Sequence, residues 1–319
     1  MNKKVVVLGG GNGMSTLLRG LKQFPIDLTA IVSVCDDGGS TGGLRKEFNT
    51  PAVGDIRRVL ISLSETEPLF EKMFNYRFQT DGYLNGHAVG NFLLQSMANI
   101  TGSMSDGIEA LGKVLNLKGK VLPLTEKGDL TLVAEMTDGT IVEGEHFITE
   151  THKKIKKVYY KENPQITPEA IESIKTADLI ILSMGSLYTS IIPNLISPEV
   201  KEAMDLSNAK IMYVCNIVTQ PGETDDFTVS DHIKVLNEYL GKRKVDVVIV
   251  NDGHIDVDIA EKYQTLEQKD PVIFDKKEVE KLGVQIISDN LIKIEDDMLR
   301  HDVIKVAFCL LYTSDAADD

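Results

Sequence analysis

Five short apolar runs constrain this chain more than any other feature. Residues 5–8, 28–34, 179–182, 211–215 and 245–250 are rich in β-branched side chains and do not alternate with polar ones. That pattern belongs to strands buried on both faces, as in a parallel sheet. Each run enters a loop crowded with Gly, Asn, Asp, Ser or Thr: GGGNG, CDDGGSTGG, SMGSLYTS, NIVTQPGETDDF and NDGH. Helical patterns separate several of them. Met14, Leu17, Leu18 and Leu21 recur at i, i+3, i+4 and i+7, and Pro25 stands beyond them. Ile56, Val59, Leu60 and Leu63 repeat the spacing, and Val89, Phe92 and Leu93 form a third stripe. The expectation is an α/β, Rossmann-like three-layer fold with a mainly parallel sheet. Ligands bind such sheets outside the carboxyl ends of the strands, so the five loops should line one crevice.

Residues 121 to about 160 break this rhythm. The stretch LTLVAEMTDGTIVEG places an Asp138-Gly139 turn between strand-like runs, which predicts a β-hairpin insertion. The basic THKKIKK that follows reads more plainly as a solvated edge strand shielded by lysines than as a partner site. With no internal repeat and no low-complexity linker, residues 1–308 read as one α/β domain carrying that insertion. Residues 309–319, CLLYTSDAADD, resemble the translation of a transposon-type sequencing adapter. They are expected to be a non-native tail, the natural sequence departing after about Phe308.

Charge narrows the class of ligand. A net charge of -14 over 319 residues argues against nucleic acid, whose affinity derives from neutralised phosphates. A phosphate ligand would instead be held locally, by backbone N–H groups and a few placed cations. No apolar run approaches the ~18 residues of a membrane span. The N-terminus lacks a cleavage-type signal region, and the three cysteines have no metal spacing. A cytoplasmic protein with reduced thiols is expected.

Four glycines in five positions, Gly9, Gly10, Gly11 and Gly13, suit an anion cradled at a helix N-terminus, with Asn12 among them. Gly11 and Gly13 match two positions of the dinucleotide fingerprint G-x-G-x-x-G, but the third is Thr16. Asp36 and Asp37 stand where that fingerprint expects a ribose-binding acid. They also precede four glycines, Ser40 and Thr41, an arrangement that could bind Mg²⁺ beside a diphosphate or accept bonds from sugar hydroxyls. In VGDIRRVL, Asp55 is a candidate N-cap, which sets Arg57 and Arg58 in a first turn where the helix dipole disfavours cations. A bound anion would account for them, with Arg57 the first choice. His87 and Asn91 lie four apart, on a helix face expected opposite the Val89/Phe92/Leu93 stripe and so turned to solvent or ligand. His87 is a candidate acid or base.

Taken in order, GGGNG, DDGGSTG, GDIR, GHxxGN, GSLYTS, N-x-x-TQPGET and RHD run from residue 9 to 302. The chain resembles the YvcK branch of the CofD-like superfamily, historically called gluconeogenesis factors, over nearly its whole length. One departure is Ser183-Met184-Gly185, where that family is expected to show Gly-Pro-Gly. The resemblance implies cytosolic bacterial factors linked to cell shape, the envelope and growth on gluconeogenic carbon. They are associated with binding UDP-sugars, UDP-N-acetylglucosamine above all, and have no established reaction. The glycine loop would hold the diphosphate, with Arg57 or Arg300 adding charge. Asp36, Asp37, Asn216 and Thr224 would address hydroxyls, Tyr188 or Tyr263 would stack on base or sugar, and Gly185 and Ser186 would complete the site. Enzymatic relatives are 2-phospho-L-lactate transferases. The second reading is therefore a Mg²⁺-dependent transferase with Asp36 or Asp37 on the metal and His87 assisting proton transfer. A third, ranked last, is an NAD-dependent oxidoreductase, with NAD an alternative occupant of the nucleotide site. Homo-oligomerisation is left open.

Overall fold

The computed structural model describes residues 2–295 and 298–315; residues 316–319 of the expected tail lie outside the described residues. The strands are β1 (Lys3–Gly9), β2 (Ile26–Val32), β3 (Lys120–Pro123), β4 (Leu132–Met136), β5 (Ile141–Glu143), β6 (Ile155–Tyr160), β7 (Leu179–Leu182), β8 (Lys210–Val214), β9 (Val247–Asn251), β10 (Gln285–Asp289), β11 (Ile292–Glu295) and β12 (Met298–His301). The first six helices are α1 (Gly11–Leu21), α2 (Gly39–Phe48), α3 (Val53–Leu63), α4 (Pro68–Asn75), α5 (Val89–Thr101) and α6 (Met104–Val114). The rest are α7 (Glu145–Glu150), α8 (Pro168–Lys175), α9 (Pro198–Leu206), α10 (Val229–Tyr239), α11 (Val257–Glu267), α12 (Lys276–Lys281) and α13 (Val303–Asp315).

Seven strands form the main sheet in the order β10-β9-β8-β7-β1-β2-β3, and every neighbouring pair is parallel. All five apolar runs supply strands of this sheet. Successive side chains of β1 divide between its two faces. Val6 and Leu8 pack with Ile31, Ile180, Leu182 and Tyr213 on one side. Val5 and Val7 pack with Ala30, Val32, Ile181 and the α1 residues Met14, Leu17, Leu18 and Leu21 on the other. Helices cover both faces, giving the α/β three-layer arrangement the patterning predicts.

Strand order reverses at β1. The chain runs outward through β2 and β3, then returns to pair β7 with the other side of β1, Val5 opposite Leu179. This is the switch point at which open α/β sheets leave a crevice.

The insertion is a second, three-stranded antiparallel sheet in the order β5-β4-β6. The Asp138-Gly139 turn joins β4 to β5, with Gly139 at φ 84, a conformation glycine adopts without strain. The insertion begins later than expected, because Lys120–Pro123 is the edge strand of the main sheet. The lysines of THKKIKK are surface ion-pair partners: Lys153 with Asp138, Lys154 with Asp226, Lys156 and Lys157 with Glu135. Residues 309–315 of the expected tail continue α13, and Leu310 is buried against the α1 side of the core.

Candidate functional site

A cleft of about 290 Å³ opens at the switch point. It is lined by Gly10–Gly13 after β1, Ser33 and Asp36 after β2, Gly185, Ser186, Thr189 and Ser190 after β7, and Gln220 after β8. Asp55 and Arg58 of α3 and Glu145 of α7 complete it. The loop after β9, expected as a fifth contributor, is not in this lining.

The glycine loop turns directly into α1, which starts at Gly11 with φ 63 and has no side-chain cap at Gly10. Helix geometry leaves the first-turn N–H groups without intrahelical partners, and the helix dipole makes this end attractive to anions. The Gly11 N–H is already engaged, donating to Asp55 Oδ2 at 2.7 Å. Gly13 is required by close approach, since a Cβ there would collide with the Met184 carbonyl.

Packed directly against Gly13, Gly185 (φ 139) leads into a π-helical turn, Leu187–Ile191, and a 3-10 turn, Ile192–Asn194. Buried polar groups hold this irregular segment. Glu223 Oε1 accepts from the hydroxyls of Ser186 at 2.7 Å and Thr189 at 3.1 Å, and Oε2 accepts from the Tyr188 N–H at 3.1 Å. Burial pushes the Glu223 carboxyl above its ordinary range, against the pull of those donors. Asn216 and Gly185 exchange two bonds of 2.9 and 2.8 Å. Asn194 donates to the Gly9 carbonyl at 3.1 Å and so ties the turn to the end of β1.

The aspartate loop is shaped by Arg45, which is buried and donates to the carbonyls of Cys35, Asp36, Gly128 and Leu130 at 2.7–3.2 Å. Asp36 Oδ1 accepts from the Gly38 N–H at 2.9 Å, and the side chain lines the cleft. Asp37 faces away. Its Oδ1 accepts from the His146 N–H at 2.9 Å, which docks α7 of the insertion onto the β2–α2 loop. Ser40 and Thr41 lie in the first turn of α2, Thr41 buried against Gly54.

That docking brings Glu145 into the cleft, although no motif singled it out. Burial first, then the carboxylates of Asp36, Asp55, Glu223 and Asp37, push Glu145 up to about 8. Among the described residues of the lining Arg58 is the one cation, and it pairs with Asp55 at 2.6 Å. Burial holds Asp55 above the usual carboxylate range in spite of that partner.

Several sequence expectations are redistributed. Asp55 does not cap α3; the cap is Ala52, and Asp55 sits inside the first turn, where its side chain reaches the glycine loop. Arg57 is buried at 3% exposure and bonded to Asn75 Oδ1, so the cleft cation is its neighbour Arg58. Burial, with Arg58 and Arg77 nearby, pulls Arg57 down to about 10. His87 does not share a helix face with Asn91, because α5 starts at Val89 after its cap Ala88; both residues are nonetheless buried, while Leu93 is exposed. Small-residue contacts decide this. A Cβ on Gly90 would press on the Phe74 ring, and α6 approaches at Gly107 against Ala98, so the Gly90/Leu94/Ala98 side is the one that packs. His87 lies between Tyr83 and Phe92, ring centroids 5.1 and 5.5 Å away, outside the cleft lining.

Of the remaining candidates, Gly10, Gly11, Asn12, Gly13, Asp36, Gly185 and Ser186 converge on the cleft. Asn216 and Thr224 brace its loops, Thr224 Oγ1 accepting from the Gln220 N–H at 2.9 Å. Tyr188 is buried in the core on the insertion side of the sheet. Tyr263 packs with Ile217 and Leu299 and accepts from the Leu299 N–H at 2.7 Å. Arg300 is exposed on the β11–β12 hairpin and is not in the lining.

Among the described residues no three His, Cys, Asp or Glu side chains gather to hold a metal. No helix among them is long and apolar enough to cross a membrane. A Mg²⁺ at Asp36 would therefore depend on oxygens of the ligand and water, as Mg²⁺ sites beside diphosphates commonly do.

The family model for the 2-phospho-L-lactate transferase CofD matches residues 5–292. The gluconeogenesis factor of Halalkalibacterium halodurans is 47% identical over 312 residues, covering 97% of this chain and 96% of the relative. That of Bacillus subtilis is 46% identical over 309 residues, covering 97% of each. A crystal structure of a UPF0052 family member from Bacillus halodurans superposes with a TM-score of 0.93 at 47% identity, covering 97% of this chain and all of that one.

Proposed function

Since this chain belongs to the CofD family, in the branch whose relatives are named gluconeogenesis factors, we propose that it is a nucleotide-sugar-binding regulatory protein linked to gluconeogenic growth. The proposed ligand is of the UDP-N-acetylglucosamine type, and the proposed setting is the cytoplasm, with effects on cell shape and the envelope. One observation carries the ligand class. The switch-point cleft joins the N-terminus of α1, where Asp55 takes only the Gly11 N–H, to a wall of carboxylates and hydroxyls. The helix end suits a diphosphate, and the carboxylates suit hydroxyl donors. The cleft of about 290 Å³ is just below the ~300–1,000 Å³ of small-molecule pockets, room for the diphosphate and an adjoining part of a nucleotide sugar.

The second reading is a Mg²⁺-dependent transferase of the 2-phospho-L-lactate type, favoured by the description of the family model itself. In that case the diphosphate would be a leaving group and Asp36 the carboxylate nearest a bridging metal.

Titration calorimetry with UDP-N-acetylglucosamine, UDP-glucose, GDP and NAD, with and without Mg²⁺, tests both. Selective binding of a UDP-sugar recovered intact supports the regulatory reading. Preference for GDP, or any cleaved ligand, replaces it with the transferase. Preference for NAD would restore the dinucleotide reading ranked last.

A further inference from the structure

The cleft is polarised, and its polarity orients whatever binds. On one side lies the group that suits an anion, the α1 N-terminus at Asn12 and Gly13; the Gly11 N–H is taken by Asp55, and the Ser186 and Thr189 hydroxyls by Glu223. On the other lie Asp36 of the β2–α2 loop and Glu145 of the insertion, held together where the His146 N–H grips Asp37. The carboxylate on the α1 side, Asp55, is ion-paired. Arg58, the one cation among the described residues of the lining, is committed to Asp55 and so does not neutralise Asp36 or Glu145.

A diphosphate placed on this side would meet the like charge of Asp36 in a partly buried site, where such repulsion is strong. Hydroxyl or amide N–H groups placed there would find acceptors. Resting on the nucleotide-sugar reading above, we propose that Glu145, with Asp36, contacts the hydroxyl-bearing sugar of the ligand, while the α1 N-terminus takes the diphosphate. The insertion is then the specificity element of the site, since it delivers Glu145 from outside the parallel sheet. Glutamine keeps the length of the side chain and both donor and acceptor capacity, so it substitutes for an acid that carries its proton at neutral pH.

The test compares UDP with UDP-N-acetylglucosamine by calorimetry at pH 7 for wild type, Glu145→Ala, Glu145→Asp and Glu145→Gln. Glu145→Ala is expected to lose at least tenfold in affinity for the UDP-sugar and less than twofold for UDP. Glu145→Asp, which withdraws the carboxyl by one methylene, should lose selectivity in the same direction, and Glu145→Gln should retain most of it. Equal losses for UDP and UDP-sugar, or no loss for either, would overturn the assignment of Glu145 while leaving the ligand class intact. Wild-type protein that binds neither compound would overturn the ligand class and this proposal with it. Should Glu145→Ala unfold, the aspartate and glutamine variants decide the question alone.

Discussion

Arg57 and Arg58 are adjacent in the chain and serve different ends. Arg57 is a buried strut on Asn75, and Arg58 is the cation of the cleft. Arg58→Ala is expected to weaken UDP-N-acetylglucosamine binding at least tenfold, as measured by calorimetry. Arg57→Ala should leave that affinity within twofold and lower the stability by about 1–3 kcal/mol in urea denaturation, the cost of orphaning a buried partner. Glu145 makes a prediction about pH. Its carboxyl is raised in the folded state to about 8 from an ordinary 4.5, so the folded protein binds the proton more tightly than the unfolded chain. Its stabilising contribution is complete below about pH 4.5 and is lost as pH rises through about 8. Glu145→Gln removes that loss, and should be more stable than wild type at pH 9 by roughly 1–3 kcal/mol while differing little near pH 5. A parallel decline of both proteins from pH 5 to 9 would contradict it.

At the scale of elements, the π-helical turn depends on one buried carboxylate. Glu223→Ala releases Ser186, Tyr188 and Thr189 together, and should cost about 2–4 kcal/mol in denaturation. Binding to the UDP-sugar should weaken even in conditions where the variant is fully folded, because the loop after β7 loses its fixed shape. Ser186, Glu223 and Thr224 all stand in the quoted motifs, but spacing does not show that the Glu223 carboxylate reaches Ser186, 37 residues away. The same limit explains the other misplacements. Strand runs and the α1 and α3 stripes are periodic, so their faces are legible from composition and spacing. The face of α5 is set by glycine and alanine allowing close approach to Phe74 and α6, which hydrophobic counting does not register. Glu145 was hidden for a third reason: it enters the site by the docking of the insertion, through Asp37 and the His146 backbone, and a backbone donor carries no sequence signature. What the sequence did place was the cleft at the strand ends, because glycine loops after parallel strands have few other uses.

For the molecule as a whole, one sheet carries two cores, and α13 belongs to the one that contains α1. Gly20 lies so close to Val303 that a Cβ would collide with its carbonyl. Leu310→Ala should therefore cost about 2–4 kcal/mol and lower the main calorimetric transition, whatever the origin of the segment that supplies it. The reversal of strand order has a temporal side too. β1 sits mid-sheet in the finished protein, yet its partner on one flank, β7, begins 170 residues after β1 ends: Gly9 against Leu179. At a synthesis rate of about 5–20 residues per second, that flank stays unpaired for roughly 10–30 s on the ribosome. For that interval a strand with the apolar core VVVL has an open hydrogen-bonding edge, the kind of surface that seeds aggregation. The topology that creates the crevice thus also makes the newborn chain dependent on protection until its second half arrives.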